Sequence, residues 1–375
     1  MPPNDEESVM EIQQEEFERG RGSGRWRGAR LLAVVATLLL AGGLLAACGG
    51  DDDDDDGEPA AEEAPISGFA VVTPEEANDY GWNQQAVEGA EQVASELGIE
   101  LEVADGAGYE DTASILRELS TTGGVEFIAA HASGYNTISP EVAAQTGVPA
   151  VAWDNPEANE PGVSREVTTA SQEGAYLAGV LAAESTETGH LGIVISADDN
   201  NWHLQSGGFV AGARSVDPEI EISLAQIGEA GYADAAGGRR VTNAVIADGA
   251  DVIFGMGDGS SFGMLQAVES ADGVTFIDVI GDKREIDDEG VLLSSVLWSF
   301  DGYITDSIEA IADGTFGEES YVLDLENGGI GLLRTDLIDD ELWNELEDIK
   351  QQIIDGEIDV PATATRSKVE DLIRG

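Results

Sequence analysis

The stretch ADVIFG at residues 250–255 is short, apolar and rich in β-formers. A strand without polar alternation is buried on both faces, as in a parallel sheet covered by helices. Working outward, the segments before it predict strands at Glu221–Gln226 and His190–Ser196, and the next strand falls at Thr275–Ile280. Helical stretches lie between them near Gln205–Val216, Asp234–Ala247 and Ser261–Ser270. The first half repeats the rhythm. Its strands are Ile66–Val72, Ile99–Ala104, Val125–Ala130 and Ala150–Trp153, and its helices lie near Gln84–Leu97, Asp111–Ser120 and Ser139–Gln145. Strands and helices in strict alternation imply an α/β chain of doubly wound sheets. Ligands of such sheets sit beyond the carboxyl ends of the strands, so the loops after strands are where chemistry is expected.

The chain has 375 residues and a formal charge of −58, from 75 acidic and 17 basic side chains. That length suggests roughly two domains. The charge opposes nucleic acid and anionic membrane surfaces as partners. One cysteine and three histidines exclude an internal disulfide and make a thiolate or histidine-rich metal site unexpected. Dense carboxylates keep a fold hydrated but repel one another at low salt, which predicts a protein of a saline setting.

Residues 1–65 do not read as fold. Five arginines between Arg19 and Arg30 precede the uncharged run Leu31–Ala47, which is 17 residues long. Basic flank, apolar centre and small residues at the end have the form of a secretion signal, and a spanning helix wants about 20 residues. The acidic stretch behind Cys48, with Asp51–Asp56 contiguous, is expected to be an extended tether, since it lacks the spaced ligands of a calcium loop.

Known catalytic patterns are absent or incomplete. No GxGxxG follows the first strand, where Thr73-Pro74-Glu75-Glu76 stands instead, and neither a P-loop nor HExxH occurs. Gly259-Ser260-Ser261-Phe262-Gly263 matches GxSxG between a strand and a helix, but His131, His190 and His203 all lie upstream of it. The hydrolase order requires a downstream histidine, so no enzyme and no cofactor is expected. The tryptophans say more. Trp82, Trp153, Trp202 and Trp298 all fall at strand ends or in the polar stretches after them. Each alone could cap a core. Together, with Asp and Asn beside them, they suggest a cleft that sandwiches a flat ligand.

Several stretches resemble one family, the basic membrane protein (BMP) family of purine nucleoside-binding lipoproteins. They are Asn78–Gly89, Glu173–Ala182, Gly208–Pro218, Asp248–Phe254 and Glu326–Leu332, in the family's order. Leu45-Ala46-Ala47-Cys48 likewise resembles a bacterial lipobox. The resemblance implies a lipid-anchored, extracytoplasmic solute-binding component of an ABC importer, with permease and ATPase subunits as partners. Its fold would be two doubly wound lobes joined by a hinge, type I periplasmic-binding-protein-like. The boundaries expected are a signal at 1–47, a tether at 48–65, one lobe from 66–168 plus 282–318, and the other from 169–281 plus 319–375. Carried over by position, Trp82 stacks on a purine, with Asp79 and Asn83 at the base edge, and Trp202 is a candidate for the opposite face. Asp154 holds ribose hydroxyls, Gly257 and Asp258 match a glycine-rich loop under the ligand, and Asp282 falls near a second sugar-binding Asp. Nucleoside-binding members carry a Lys after the strand at Val291–Leu297; here Trp298 follows it, which is a feature of members that look like binders of a purine base or another ligand. A surface sensor or a sugar-binding protein of the same fold is the alternative.

Overall fold

The computed structural model describes residues 65–363 and 365–375. The expectations for the signal segment, Cys48 and the acidic run at 49–64 fall outside the described residues.

Among the described residues, twelve strands form two six-stranded sheets. The first has the order β11-β5-β4-β3-β1-β2, where β1 is Gly68–Val72, β2 Glu100–Ala104, β3 Ile128–Ala130, β4 Ala150–Trp153, β5 Ser164–Thr169 and β11 Tyr321–Leu323. All its pairings are parallel. The second has the order β12-β10-β9-β8-β6-β7, with β6 at His190–Ile195, β7 Glu221–Gln226, β8 Val252–Met256, β9 Thr275–Ile280, β10 Leu292–Trp298 and β12 Ile330–Leu332. It is parallel except for the antiparallel β10–β12 pair. The central strands β1, β6 and β8 are buried at every position, which is why they read as unbroken apolar runs. The edge strand β2 (ELEVA) keeps its glutamates in water, and charge on an edge discourages pairing with another chain.

Among the described residues, ten α-helices cover the sheets. In chain order they are α1 Trp82–Leu97, α2 Thr112–Thr121, α3 Ile138–Thr146, α4 Ser171–Ser185, α5 Asn200–Val216, α6 Ala235–Ala247, α7 Ser261–Glu269, α8 Asp301–Asp313, α9 Asp340–Ile354 and α10 Arg366–Arg374. The pair α4–α5 packs backbone against backbone. A β-carbon on Gly179 would stand 2.1 Å from the Phe209 carbonyl oxygen, and one on Gly212 would stand 2.0 Å from that of Tyr176. The Glu173–Ala182 and Gly208–Pro218 strings are thus a seam where two backbones touch, rather than part of a ligand wall.

The chain passes between the lobes three times, after β5, after β10 and after β11. Strand β10 pairs with β9 and β12 in the second sheet, so the expected assignment of 282–318 to the first lobe is corrected. Residues 282–298 belong to the second lobe, and the chain returns to the first only with α8, which packs on α1. Similarly, β11 pairs with β5 in the first sheet, so residues 319–323 stay with the first lobe. Both boundaries depend on which strand a short apolar segment pairs with, and an isolated segment does not carry that information.

The lobes touch across the cleft. Tyr80, in the loop before α1, sets its ring edge-on to Phe262 of α7 at 6.1 Å. Its carbonyl accepts a hydrogen bond from the Lys283 ammonium at 3.0 Å. Lys283 is buried and paired with buried Asp278 at 2.7 Å.

Candidate ligand-binding site

Between the lobes lies a cavity of about 560 Å³, within the ~300–1,000 Å³ range of small-molecule sites. Its walls come from the carboxyl ends of strands in both sheets: the loops after β1, β2, β3, β7 and β8, the first turn of α5, and the last residues of β9 and β10. That is the location the topology prescribes.

On the first lobe, Trp82 begins α1 and is half-buried. Its indole N–H donates to the His131 carbonyl (3.1 Å), and its ring lies over the His131 imidazole at 3.9 Å, tilted by 30°. Trp153, Trp298 and Phe300 meet it edge-on at 4.8, 6.0 and 5.4 Å. Such edge contacts each contribute about 0.5–1.5 kcal/mol, so the exposed face of Trp82 is presented by a rigid aromatic block. His131 is completely buried, and desolvation lowers its pKa to about 3. The imidazole is therefore a neutral platform.

On the second lobe, Trp202 lines the same cavity. It was expected in a polar loop, but α5 begins at Asn200, because the Asp199 carboxylate accepts from the Asn201 N–H (2.8 Å) and caps the helix. Trp202 thus sits in the first turn, buried, with its indole N–H donating to the Ser196 hydroxyl at 2.9 Å. Trp298 ends β10, lines the cavity and is only 2 % exposed, and its N–H has no partner. Asp258 follows β8. Its Oδ1 is buried without a partner, and its pKa is pushed up to about 8 by desolvation first, then by Asp79, Glu75 and Asp199, against a lowering influence of Lys283.

The remaining sequence candidates take varied places. Asn83 lines the cavity, yet its side chain is held by the Glu75 N–H (3.2 Å) and Asp79. Asp79 is absent from the lining. Its carboxylate accepts from the backbone N–H groups of Gly81, Asn83 and Gln84 and from the Asn83 amide, so it holds the start of α1. Asp154 borders the cavity through its partners. It accepts from Ser133 (2.7 Å) and Thr168 (3.2 Å) of its own lobe and from Asn201 (3.2 Å) of the other, and burial raises its pKa. It adopts φ +54° at the end of β4, a conformation that Asp tolerates better than most residues. Gly257 packs beneath Asp258, where a β-carbon would stand 2.0 Å from the Ser260 hydroxyl. Asp282 does not line the cavity; it chelates the Arg284 guanidinium at 2.9 and 3.0 Å. Ser261 of the GxSxG string is buried and donates to Asp278 (2.9 Å).

Sequence reasoning missed Glu75, Tyr109, Ser133 and Tyr232, all of which line the cavity. Each lies in a loop directly after a strand, so the rule that drew attention to Trp82 covered them too. Tyr232 donates to the second oxygen of Asp199 at 2.8 Å.

The family model described as ABC transporter substrate-binding protein PnrA-like matches residues 66–364. The ABC transporter nucleoside-binding protein BmpA of Lactococcus lactis is 28% identical over 311 residues, covering 76% of this chain and 86% of that one. Basic membrane protein A of Borreliella burgdorferi is 26% identical, covering 76% and 85%. Among solved structures, a solute-binding protein of an ABC transporter system from Conexibacter woesei superposes with a TM-score of 0.68 at 21% identity, covering 79% of this chain and 98% of that one. One from Aeropyrum pernix gives 0.69 at 20% identity, with 82% and 96% covered.

Proposed function

This chain belongs to the PnrA-like family of ABC transporter substrate-binding proteins, and on that premise we propose that it captures a purine nucleoside or purine base between its lobes and delivers it to a permease. The family is one of solute-binding components, not of enzymes. The observation that carries the ligand reading is a single cavity with Trp82 on one lobe and Trp202 on the other, both braced from behind. The nucleoside-binding name of the Lactococcus relative supports the same class. Asp154, hydrogen-bonded from both lobes, stands where a ribose hydroxyl could replace Asn201 as donor. Trp298 in place of a lysine favours a base or an unphosphorylated nucleoside. An anionic ligand would meet Glu75, Asp199 and Asp258 with no basic side chain in the described lining.

Capture works by population shift. A ligand touching both walls makes its full set of contacts only when the lobes are closed, so it stabilises that form, which the permease then recognises. Cys48 as a lipid anchor would keep the protein at the outer face of the cell membrane. The test is a titration of the purified chain with adenosine, guanosine, inosine, adenine and simple sugars, followed by tryptophan fluorescence in high salt. Saturable quenching by purines is expected. A response to a sugar and to no purine would overturn the ligand assignment.

A further inference from the structure

The cavity lining combines the indoles of Trp82, Trp202 and Trp298, together with two tyrosines, with the carboxylates of Glu75, Asp199 and Asp258. No Lys, Arg or His is among the described residues that line it. Lys283, close behind on the second lobe, is sequestered: its ammonium is held by Asp278 (2.7 Å) and by the carbonyls of Tyr80 (3.0 Å) and Val279 (3.2 Å). Asp258 Oδ1 and Trp298 Nε1 are buried without hydrogen-bond partners. The first calls for a donor or a positive charge from the ligand, the second for an acceptor. No grouping of His, Cys, Asp and Glu among the described residues could hold a metal ion, which points away from an inorganic cation. Aromatic faces attract organic cations through their quadrupoles, most strongly when water is excluded.

We propose that this site selects for positive charge, so that its ligand is a nitrogen heterocycle cationic at neutral pH, such as an N-alkylated purine nucleoside, seated on the indole rings with its charged edge against Asp258. The proposal rests on the purine reading above and adds the charge class to it. An unmodified nucleoside leaves Asp258 facing a neutral edge. A cationic one favours the ionised form of Asp258, pairs with its unpartnered oxygen and offsets the repulsion that Glu75 and Asp199 exert on that form.

Two isomers separate charge from size. 1-Methyladenosine is cationic at pH 7, whereas N6-methyladenosine has the same atoms and is neutral. Each is titrated into the full chain beside adenosine, in molar salt so that general attraction to a polyanion is screened. The expected result is that 1-methyladenosine binds at least tenfold more tightly than its neutral isomer, and that Asp258→Asn reduces the ratio to threefold or less. Equal or weaker binding of the cation, with clear binding of adenosine, overturns charge selection and leaves the purine reading intact. Binding of tetramethylammonium with no purine bound supports charge selection and overturns the purine reading. Binding of none of these overturns both. An unchanged ratio in Asp258→Asn overturns the role assigned to that carboxylate.

Discussion

Trp82 is held by one hydrogen bond to a carbonyl and by rings on several sides, so truncating it removes a face without an alternative group to take its place. Aromatic–base stacking contributes about 1–3 kcal/mol per base in nucleic-acid systems. Trp82→Ala is therefore expected to weaken purine binding roughly 10- to 100-fold, read by isothermal calorimetry with circular dichroism showing an intact fold. Unchanged affinity would make Trp82 a packing residue only. His131 beneath it stays neutral, because desolvation lowers its pKa to about 3. Its imidazole proton resonances should not shift between pH 8 and pH 5, and a titration in that window would show water reaching the ring. Asp258 has the opposite sign. Its pKa of about 8 leaves it mostly protonated at pH 7, and a bound cation lowers that pKa. Binding a cationic nucleoside should thus release a proton near pH 7, seen as a binding enthalpy that differs between buffers of different ionisation enthalpy. Equal enthalpies would place the cation away from Asp258. At this scale position after a strand pointed to Trp82, Trp202 and Trp298, and the family resemblance to Asn83 and Asp258, and these five side chains line the cavity. The sequence could not say that Asp79 holds a helix start or that Asp282 is taken up by Arg284, since both depend on where a short side chain points after folding.

At the level of elements, the seam between α4 and α5 is a constraint set by backbone approach. The carbonyls of Phe209 and Tyr176 approach Gly179 and Gly212 so closely that any β-carbon must push the helices apart. The helix propensity gained by Gly→Ala, about 1 kcal/mol, is smaller than the typical 1–3 kcal/mol of overpacking in a dense core when the obstacle is backbone. Gly179→Ala and Gly212→Ala should each lower the thermal midpoint by several degrees in differential scanning calorimetry. A raised midpoint would mean that the seam relaxes at little cost. The sequence predicted nine strands and six helices near their observed places because the central strands are apolar throughout. It did not predict β5, β11 or β12. Ser164–Thr169 (SREVTT) carries charge and hydroxyls yet is nearly all buried, with Arg165 reaching Asp306 at 2.9 Å and the Glu166 N–H donating to Asn159. A polar strand satisfied by distant partners has no local signature.

The whole molecule is governed by its charge. With 75 acidic and 17 basic side chains, surface repulsion opposes the compact state and is screened by salt. The thermal midpoint should rise between low salt and molar salt, and equal midpoints would count against adaptation to a saline setting. Within this repulsive frame the lobes are joined across the cleft by specific contacts, Lys283 to the Tyr80 carbonyl and Asn201 to Asp154. The sequence by itself determined the alternating architecture, the two-lobed plan, the expectation that a cavity lies after the strands and the acidic composition, because strand burial, helix periodicity and net charge are local or additive properties. Only the tertiary structure decided which lobe owns 282–298 and 319–323, which carboxylates face the cavity and which are occupied elsewhere, and that no basic side chain is among the described residues of the lining. Those outcomes depend on pairing and side-chain direction between segments far apart in the chain, and folding alone brings such segments together.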